Sequence, residues 1–394
     1  MGRSRSIVPC SFSCGWGALL IRFLHSSDLH IGKPFGRFDD DLRARLREAR
    51  FQQIARLATI ARDAGTCLVV LAGDTFDAET PPPQLMRQTI RAFAQESDIT
   101  WVILPGNHDS LAATELWARF VRECPGNVIL ALQETVIEIG DDLAILPAPC
   151  PVRHAGRDLT TWMDTAQTDP ARVRLGLAHG AIQGFSEEDT PLDLIAPDRA
   201  RLAGLDYLAL GDWHGPIEVV GNCHYSGTPE SDSFKHNAVA SALLVEIDAP
   251  GAAPRVRRVE TGHMRWQAIN LDLQPGDDPA ERLNAALPEP AKRRDTLVRL
   301  TASGRLSLSE RARLEQAISD TDEDFATFEF NLQRLDLEHE SADLDDIEPT
   351  AGALRAAAER LLEGAENPDL DLEARGVSRA ALGRLYGYAL RVQE

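Results

Sequence analysis

Five apolar runs in this sequence each stop at a break and are followed at once by side chains that can hold a metal ion. "IRFLHSSDLH" ends in Asp28 and His30, and "CLVVLAGDTFD" in Asp74 and Asp77. "ITWVILPGNHD" ends in Asn107, His108 and Asp109, "VRLGLAHG" in His179, and "YLALGDWH" in Asp212 and His214. Short continuous apolar runs bounded by turn residues read as buried strands. Between the first three lie helical patterns. Leu42, Leu46, Ile54, Leu57 and Ala61 mark one over 39–64, with Gly65 as its stop. Leu85, Met86, Ile90 and Phe93 mark another over 83–95, after a proline-rich start. Strand–helix alternation implies parallel strands whose carboxyl ends share one edge, which is where open α/β sheets carry their sites. The five clusters are therefore expected to converge.

Asp, His and Asn without any thiolate make an oxygen–nitrogen site suited to Mn²⁺, Fe²⁺ or Zn²⁺. The set is too large for one ion and suits two. Two ions bridged by a carboxylate activate water and clamp a phosphoryl oxygen for in-line attack. Gly73, Gly106 and Gly211 stand before the ligands and are expected to make tight turns. Taken singly, a Gly-Asp pair is an ordinary turn and a buried histidine an ordinary hydrogen-bonded core residue. Their ordered recurrence has no such plain explanation. His25, His154, His224, His236 and His263 lack ligand-spaced neighbours and keep the plain reading.

At 394 residues, 43% hydrophobic and 26% charged, the chain has room for two or three domains. It has no apolar run of the ~18 residues that a membrane span needs. A net charge of -20 argues against non-specific nucleic-acid binding by this polypeptide alone. Cys10, Cys14, Cys67, Cys124, Cys150 and Cys223 show no pairing or zinc spacing, and read as free thiols in a reducing cytoplasm. Residues 1–20 lack a convincing cleavage site and read as a disordered extension rather than a signal peptide. Residues 21–265 form the segment that carries the ligands. Residues 266–337 follow a strand–helix–strand–helix–strand pattern expected of a small separate α+β domain, and 338–350 are an acidic linker. In 351–394, Leu354, Ala358, Leu361 and Leu362 mark one helix face and Leu382, Leu385, Tyr386 and Leu390 another. These faces either pack on the body or clamp a partner's helices, and the sequence leaves both readings open.

The ordered set D-x-H, G-D-x-x-D, G-N-H-D, H and G-x-x-H resembles the calcineurin-like metallophosphoesterases. "FLHSSDLHIGKPF", "LAGDTFDAETPPP", "ILPGNHDS" and "YSGTPESDSF" are similar to motifs of the SbcD-type DNA-repair nuclease branch. The resemblance is strong over residues 22–265. It implies an α/β fold, a four-layer sandwich of two β-sheets flanked by helices, with 266–337 as a capping domain. It implies that Asp28, His30 and His214 bind one ion, that Asn107, His179 and Asp212 bind the other, and that Asp74 bridges them. His108 would face the scissile phosphate, with Asp109 as its supporting neighbour. It also implies DNA as substrate, an SMC-like coiled-coil ATPase as partner, homodimerisation and a cytoplasmic location. The sequence departs from the family at Asp212, where histidine is usual. An oxygen donor there is expected to favour Mn²⁺ or Fe²⁺ over Zn²⁺. The metal set alone leaves two alternatives open: a phosphodiesterase or phosphatase for nucleotides or phosphoproteins, and a non-catalytic scaffold that keeps the fold.

Overall fold

The computed structural model describes residues 20–183, 194–235, 239–338 and 352–393. The expected N-terminal extension and almost all of the acidic linker lie outside them. The chain divides into two compact units, Met1–Met264 and Arg265–Glu394.

Among the described residues, the first unit contains twelve strands: β1 (Ile21–Ser26), β2 (Leu68–Leu71), β3 (Thr100–Ile103), β4 (Val128–Leu130), β5 (Ile137–Ile139), β6 (Leu143–Ala148), β7 (Val173–His179), β8 (Tyr207–Gly211), β9 (Ile217–Val220), β10 (Cys223–Tyr225), β11 (Ser241–Ile247) and β12 (Arg255–Glu260). They form two six-stranded sheets, ordered β12-β11-β1-β2-β3-β4 and β5-β6-β7-β8-β10-β9. Strands β1 to β4 run parallel in the first sheet, as do β6, β7 and β8 in the second. The central strands are buried on both faces, which is why they read as unbroken apolar runs rather than alternating ones.

The helical pattern over 39–64 resolves into α1 (Asp40–Phe51) and α2 (Gln53–Asp63), separated at Gln52. The Asp39 carboxylate caps α1 by accepting from the Leu42 amide at 2.9 Å. α3 (Pro83–Gln95) opens on a proline, whose missing N–H is no loss in a first turn. α4 (Thr114–Glu123) follows β3. Leu57, Phe93, Trp101 and Phe120 belong to a core between these helices and the first sheet. Phe23, Val70, Leu175, Tyr207 and Val245 belong to a second core, between the sheets. A third core, with Leu146, Met163 and Leu208, covers the far face of the second sheet. Among the described residues, that outer layer carries only short helical turns at Thr161–Asp164 and Arg199–Leu202. The four layers are present, with the last one thin.

In the second unit, parallel strands β13 (Arg265–Leu273), β14 (Thr296–Ser307) and β15 (Thr327–Glu338) form a three-stranded sheet with intervening helices. Glu338 closes β15 and is not part of a linker. Helices at Ala353–Glu366 and Leu372–Gln393 follow, the second beginning earlier than its apolar pattern suggests. Ala358 and Leu382 pack with Leu308 of this same unit, so part of the apolar face is consumed internally. Among the described residues, no helix is long and apolar enough to cross a membrane. Cys124, Cys150 and Cys223 are in no disulfide, whereas Cys67 is disulfide-bonded, which corrects the reading of every cysteine as an unoxidised thiol. Sequence spacing cannot show which thiols meet in space.

Candidate metal centre

The five ligand-bearing segments come from both sheets: β1, β2 and β3 in the first, β7 and β8 in the second. Their carboxyl ends meet. The chain beyond β1 stays zipped to the chain beyond β2, with Asp28 N, His30 N and Ile31 N donating to the carbonyls of Gly73, Asp74 and Thr75 at 3.1, 2.9 and 2.9 Å. The second sheet joins through His179, whose Nδ1 lies 2.8 Å from the Ala72 carbonyl. Asp212 N donates towards the Asp28 carboxylate at 3.2 Å.

Asp74 Oδ2 lies 3.5 Å from His30 Nε2 and 3.6 Å from His179 Nε2. One carboxylate oxygen thus stands between two imidazoles from different sheets. On one side, Asp28 Oδ1 is 3.8 Å from both His30 Nε2 and His214 Nε2. On the other, Asp212 Oδ1 is 3.7 Å from His179 Nε2 and accepts from Asn107 Nδ2 at 3.0 Å. Asp212 therefore points into the cluster. Asp28 with His30 and His214, and Asp28 with Asp74 and His179, each offer donor atoms close enough for a shared ion.

Each ring is turned by an acceptor at its Nδ1. His30 Nδ1 faces Asp77 Oδ1 at 3.1 Å, His214 Nδ1 faces Asp232 Oδ2 at 3.2 Å, and His108 Nδ1 faces the Asp77 carbonyl at 3.0 Å. An acceptor there holds the proton on Nδ1 and leaves the Nε2 lone pair facing the cluster. His30 Nε2, His179 Nε2 and Asn107 Oδ1 are buried with no hydrogen-bond partner. Such orphaned acceptors are costly in a protein interior unless something electropositive meets them. The donor set and its inward lone pairs fit divalent metal ions.

The electrostatics agree. Burial, with Asp109 and Asp28 nearby, pushes the Asp74 carboxyl up to about 8 against the pull of His179. Burial also raises Asp212 and Asp109. Burial would lower His179, but Asp74, Asp28 and Asp212 together raise it to about 9. His30 is held well below the usual imidazole range by burial and by His214 and Arg50. Negative charge is crowded where water cannot screen it, a conflict that a bound cation removes.

The backbone is bent to make this cluster. Asp28 (φ 56°), His30 (φ 43°), Asp74 (φ 53°) and Asp212 (φ 104°) all have positive φ. Non-glycine residues held there cost about 1–3 kcal/mol each and gather at functional sites. Gly106 and Gly211 serve a different purpose from the tight turns expected of them. Neither has positive φ, but a Cβ on Gly106 would lie 2.1 Å from Asp74 Oδ1, and one on Gly211 2.0 Å from the Ala72 carbonyl. They are glycine because other chain segments pass too close for a side chain.

Asp109 is fully buried and its carboxylate accepts the amides of Gly106 and Phe76 at 2.7 and 3.0 Å. It staples two ligand loops together, the one that carries Asn107 and His108 and the one that carries Asp74. His108 is half-buried, its amide donates to Asp74 Oδ1 at 2.9 Å, and its ring stands edge-on to His30 with centroids 4.8 Å apart. The five histidines given a plain reading do not join the cluster among the described residues; His236 lies outside them. His25, fully buried, bonds to the Tyr207 hydroxyl and the Leu210 carbonyl, each at 3.1 Å.

Residues that pattern reading passed over are Asp232, Arg50 and Glu230, together with the part played by Asp77. Asp232 also accepts from Lys33 Nζ at 2.6 Å, and although burial raises it, His214, Arg50 and Lys33 hold it well below the usual carboxylate range. Arg50 is 1% exposed. One signal was available: Arg50 falls four residues after Leu46, on the buried side of an amphipathic helix. For Glu230 and Asp232 the signal was their place inside YSGTPESDSF, although the motif by itself gave neither of them a role.

The family model for calcineurin-like phosphoesterases matches residues 21–243. The chain is 33% identical over 296 residues to the SbcD subunit of the nuclease SbcCD of Bacillus subtilis (strain 168), across 64% of this chain and 73% of that protein. Among solved structures it is similar to TT1561 of Thermus thermophilus, with a TM-score of 0.40 and 11% identity over 61% of this chain and 99% of that one. It is also similar to purple acid phosphatase PPD1 from yellow lupin seeds, with a TM-score of 0.39 and 11% identity over 64% of this chain and 52% of that one. Superpositions this loose carry no argument about activity.

Proposed function

Since the chain belongs to the calcineurin-like phosphoesterase family and is a metal-dependent phosphoesterase, we propose that its substrate is DNA and that it is the nuclease subunit of an SbcCD-like complex. The observation that carries the two-metal chemistry is Asp74 Oδ2 standing 3.5 and 3.6 Å from two inward-facing imidazoles. Asp28, His30 and His214 would hold one ion and Asn107, His179 and Asp212 the other, with Asp74 available to both. Two divalent ions, Mn²⁺ for preference, supply an activated water and neutralise charge on the phosphoryl oxygens when bound. The protein's own residues do the rest. Nδ1 acceptors fix the imidazoles, and Asp109 holds the Asn107–His108 turn against the Asp74 loop. With Nδ1 tied to the Asp77 carbonyl, His108 has Nε2 left to meet a phosphodiester oxygen, and only its imidazolium form carries a proton there to give to the leaving group.

The preference for DNA rests on the sequence likeness to the Bacillus protein. The acidic balance of the chain suits a nuclease whose DNA-binding surface is completed by a basic partner, an SMC-like coiled-coil ATPase. The cap role of 266–337, homodimerisation and a cytoplasmic location belong to the same reading. The deciding experiment compares Mn²⁺-dependent hydrolysis of single- and double-stranded DNA, nucleotides, phosphoprotein and a generic phosphodiester. DNA cleavage is expected. Hydrolysis of nucleotides or phosphoprotein with DNA left intact would replace this reading, and no turnover of any substrate would favour the scaffold.

A further inference from the structure

The segment Ser226–Asp232, which follows β10, runs behind the Asp28/His214 half of the metal centre and is tied to it repeatedly. Thr228 Oγ1 donates to the Asp28 carbonyl at 2.9 Å, and Thr228 N donates to the His214 carbonyl at 3.0 Å. Asp232, at its end, orients His214. Arg50 reaches the same place from α1. Its guanidinium donates to the carbonyls of Asp28 and Leu29, each at 2.9 Å, and to the Glu230 carbonyl at 2.6 Å. A buried guanidinium spending its donors on backbone carbonyls fixes backbone position.

The Glu230 side chain points the other way. It is 1% exposed, and its carboxylate accepts from His263 N and Met264 N, each at 2.8 Å, and from Gln53 Nε2 at 2.7 Å. Thr261 Oγ1 adds a bond to the Pro229 carbonyl at 2.6 Å. The first compact unit ends at Met264. The last residues of that unit are thus gripped by the residue whose own carbonyl is gripped by Arg50, and Arg50 grips the loop that carries Asp28. A buried carboxylate with three donors is a strong and directional tie, because its alternative is an unpaired charge out of water.

We propose that Glu230 is a positioning residue that couples the exit of the catalytic unit, at His263–Met264, to the Asp28/His214 half of the metal centre, with Arg50 as the relay. Among the described residues, the chain that leads to the second unit is therefore fastened directly to the backbone of the Asp28/His214 half-site, and through Asp28 and His30 it reaches the Asp74 loop and Asp212. Displacement at the exit loosens the directly fastened half-site first. This goes beyond the metal-centre reading and rests on it only for the metal-binding arm of the test.

The test uses the full chain and Glu230→Gln, which keeps the volume and removes the charge. Backbone amide exchange and Mn²⁺ binding by calorimetry are read together. His263 and Met264 amides should exchange faster by on the order of 10-fold or more, and so should Thr228, His30 and Ile31, while amides in β7 and β14 stay unchanged. One of two Mn²⁺ sites should weaken by about 10–100-fold, the usual scale for a group that supports a ligand. Thr261→Val, which removes one tie without disturbing a buried charge, should shift the same amides by less and serves if Glu230→Gln does not fold. Faster exchange at His263 and Met264 with Thr228, His30 and Ile31 unmoved would overturn the coupling. Uniform acceleration everywhere would also overturn it, since it would mark a merely structural role. If the wild-type protein binds no Mn²⁺, the two-metal reading fails, and the amide pattern still decides the coupling.

Discussion

Asp74 and His108 are neighbours with different work. The Asp74 carboxylate faces two imidazoles, and a neutral amide cannot bridge two cations as a carboxylate does. Asp74→Asn should therefore lose bound metal and phosphodiester hydrolysis together, as read by metal analysis and Mn²⁺-dependent turnover. A variant that kept two ions and the wild-type rate would break the bridging assignment. His108 touches Asp74 through its amide and Asp77 through its ring. His108→Ala should bind metal normally and lose on the order of 10²-fold in rate, the scale of a positioned acid. Asp212 leaves the family pattern but keeps the inward direction, 3.7 Å from His179 Nε2. Activity is expected to be highest with Mn²⁺, and Asp212→His should move the preference towards Zn²⁺, because nitrogen suits that ion better than a second anionic oxygen. Metal-reconstitution assays on the two proteins decide it, and unchanged preference in the variant would mean that Asp212 does not ligate.

At the scale of elements, the sheets bring the ligands together. Strand β1 lies between β11 and β2, and its Phe23 faces the inter-sheet core edge-on to Tyr207 of β8, centroids 5.6 Å apart. Packing there sets the spacing between ligand loops from opposite sheets. Phe23→Ala should cost about 3–5 kcal/mol in denaturant unfolding, the usual range for emptying a large buried aromatic site. A loss below about 1 kcal/mol would show that the sheets close over the gap. The helices were legible because α2 and α3 bury one face each, and Pro83 and Gly65 punctuate them. The break at Gln52 was not, since an apolar stripe continues across it with no proline or glycine to mark it.

For the molecule as a whole, the crowded carboxylates link metal, protons and stability. In the metal-free fold Asp74 is pushed up to about 8 from 3.8 and His179 up to about 9 from 6.5. The folded chain then holds protons that the unfolded chain has released, so stability falls as pH rises through each interval. Chelated protein should melt at a lower temperature at pH 9 than at pH 6.5. Mn²⁺ should flatten that slope, because metal binding displaces the same protons and its affinity grows with pH. Thermal melts at both pH values, with chelator and with Mn²⁺, test this, and equal slopes would argue against metal at these residues.

The sequence by itself determined the strands, the breaks after them and the ligand types at each break, because these are local: burial on both faces demands an apolar run, and metal chemistry demands Asp, His or Asn. It could not say that His179 and Asp212 come from a different sheet than Asp28, Asp74 and Asn107, since parallel pairing joins residues far apart in the chain. Nor could it supply the acceptor behind each imidazole. Asp232 meets His214, and Arg50 meets Asp28, only because a strap and a helix are packed against the same loop. Those contacts are decided by the tertiary structure, where a buried ring nitrogen or a buried carbonyl must find a partner in space and sequence distance has no bearing on which one it finds.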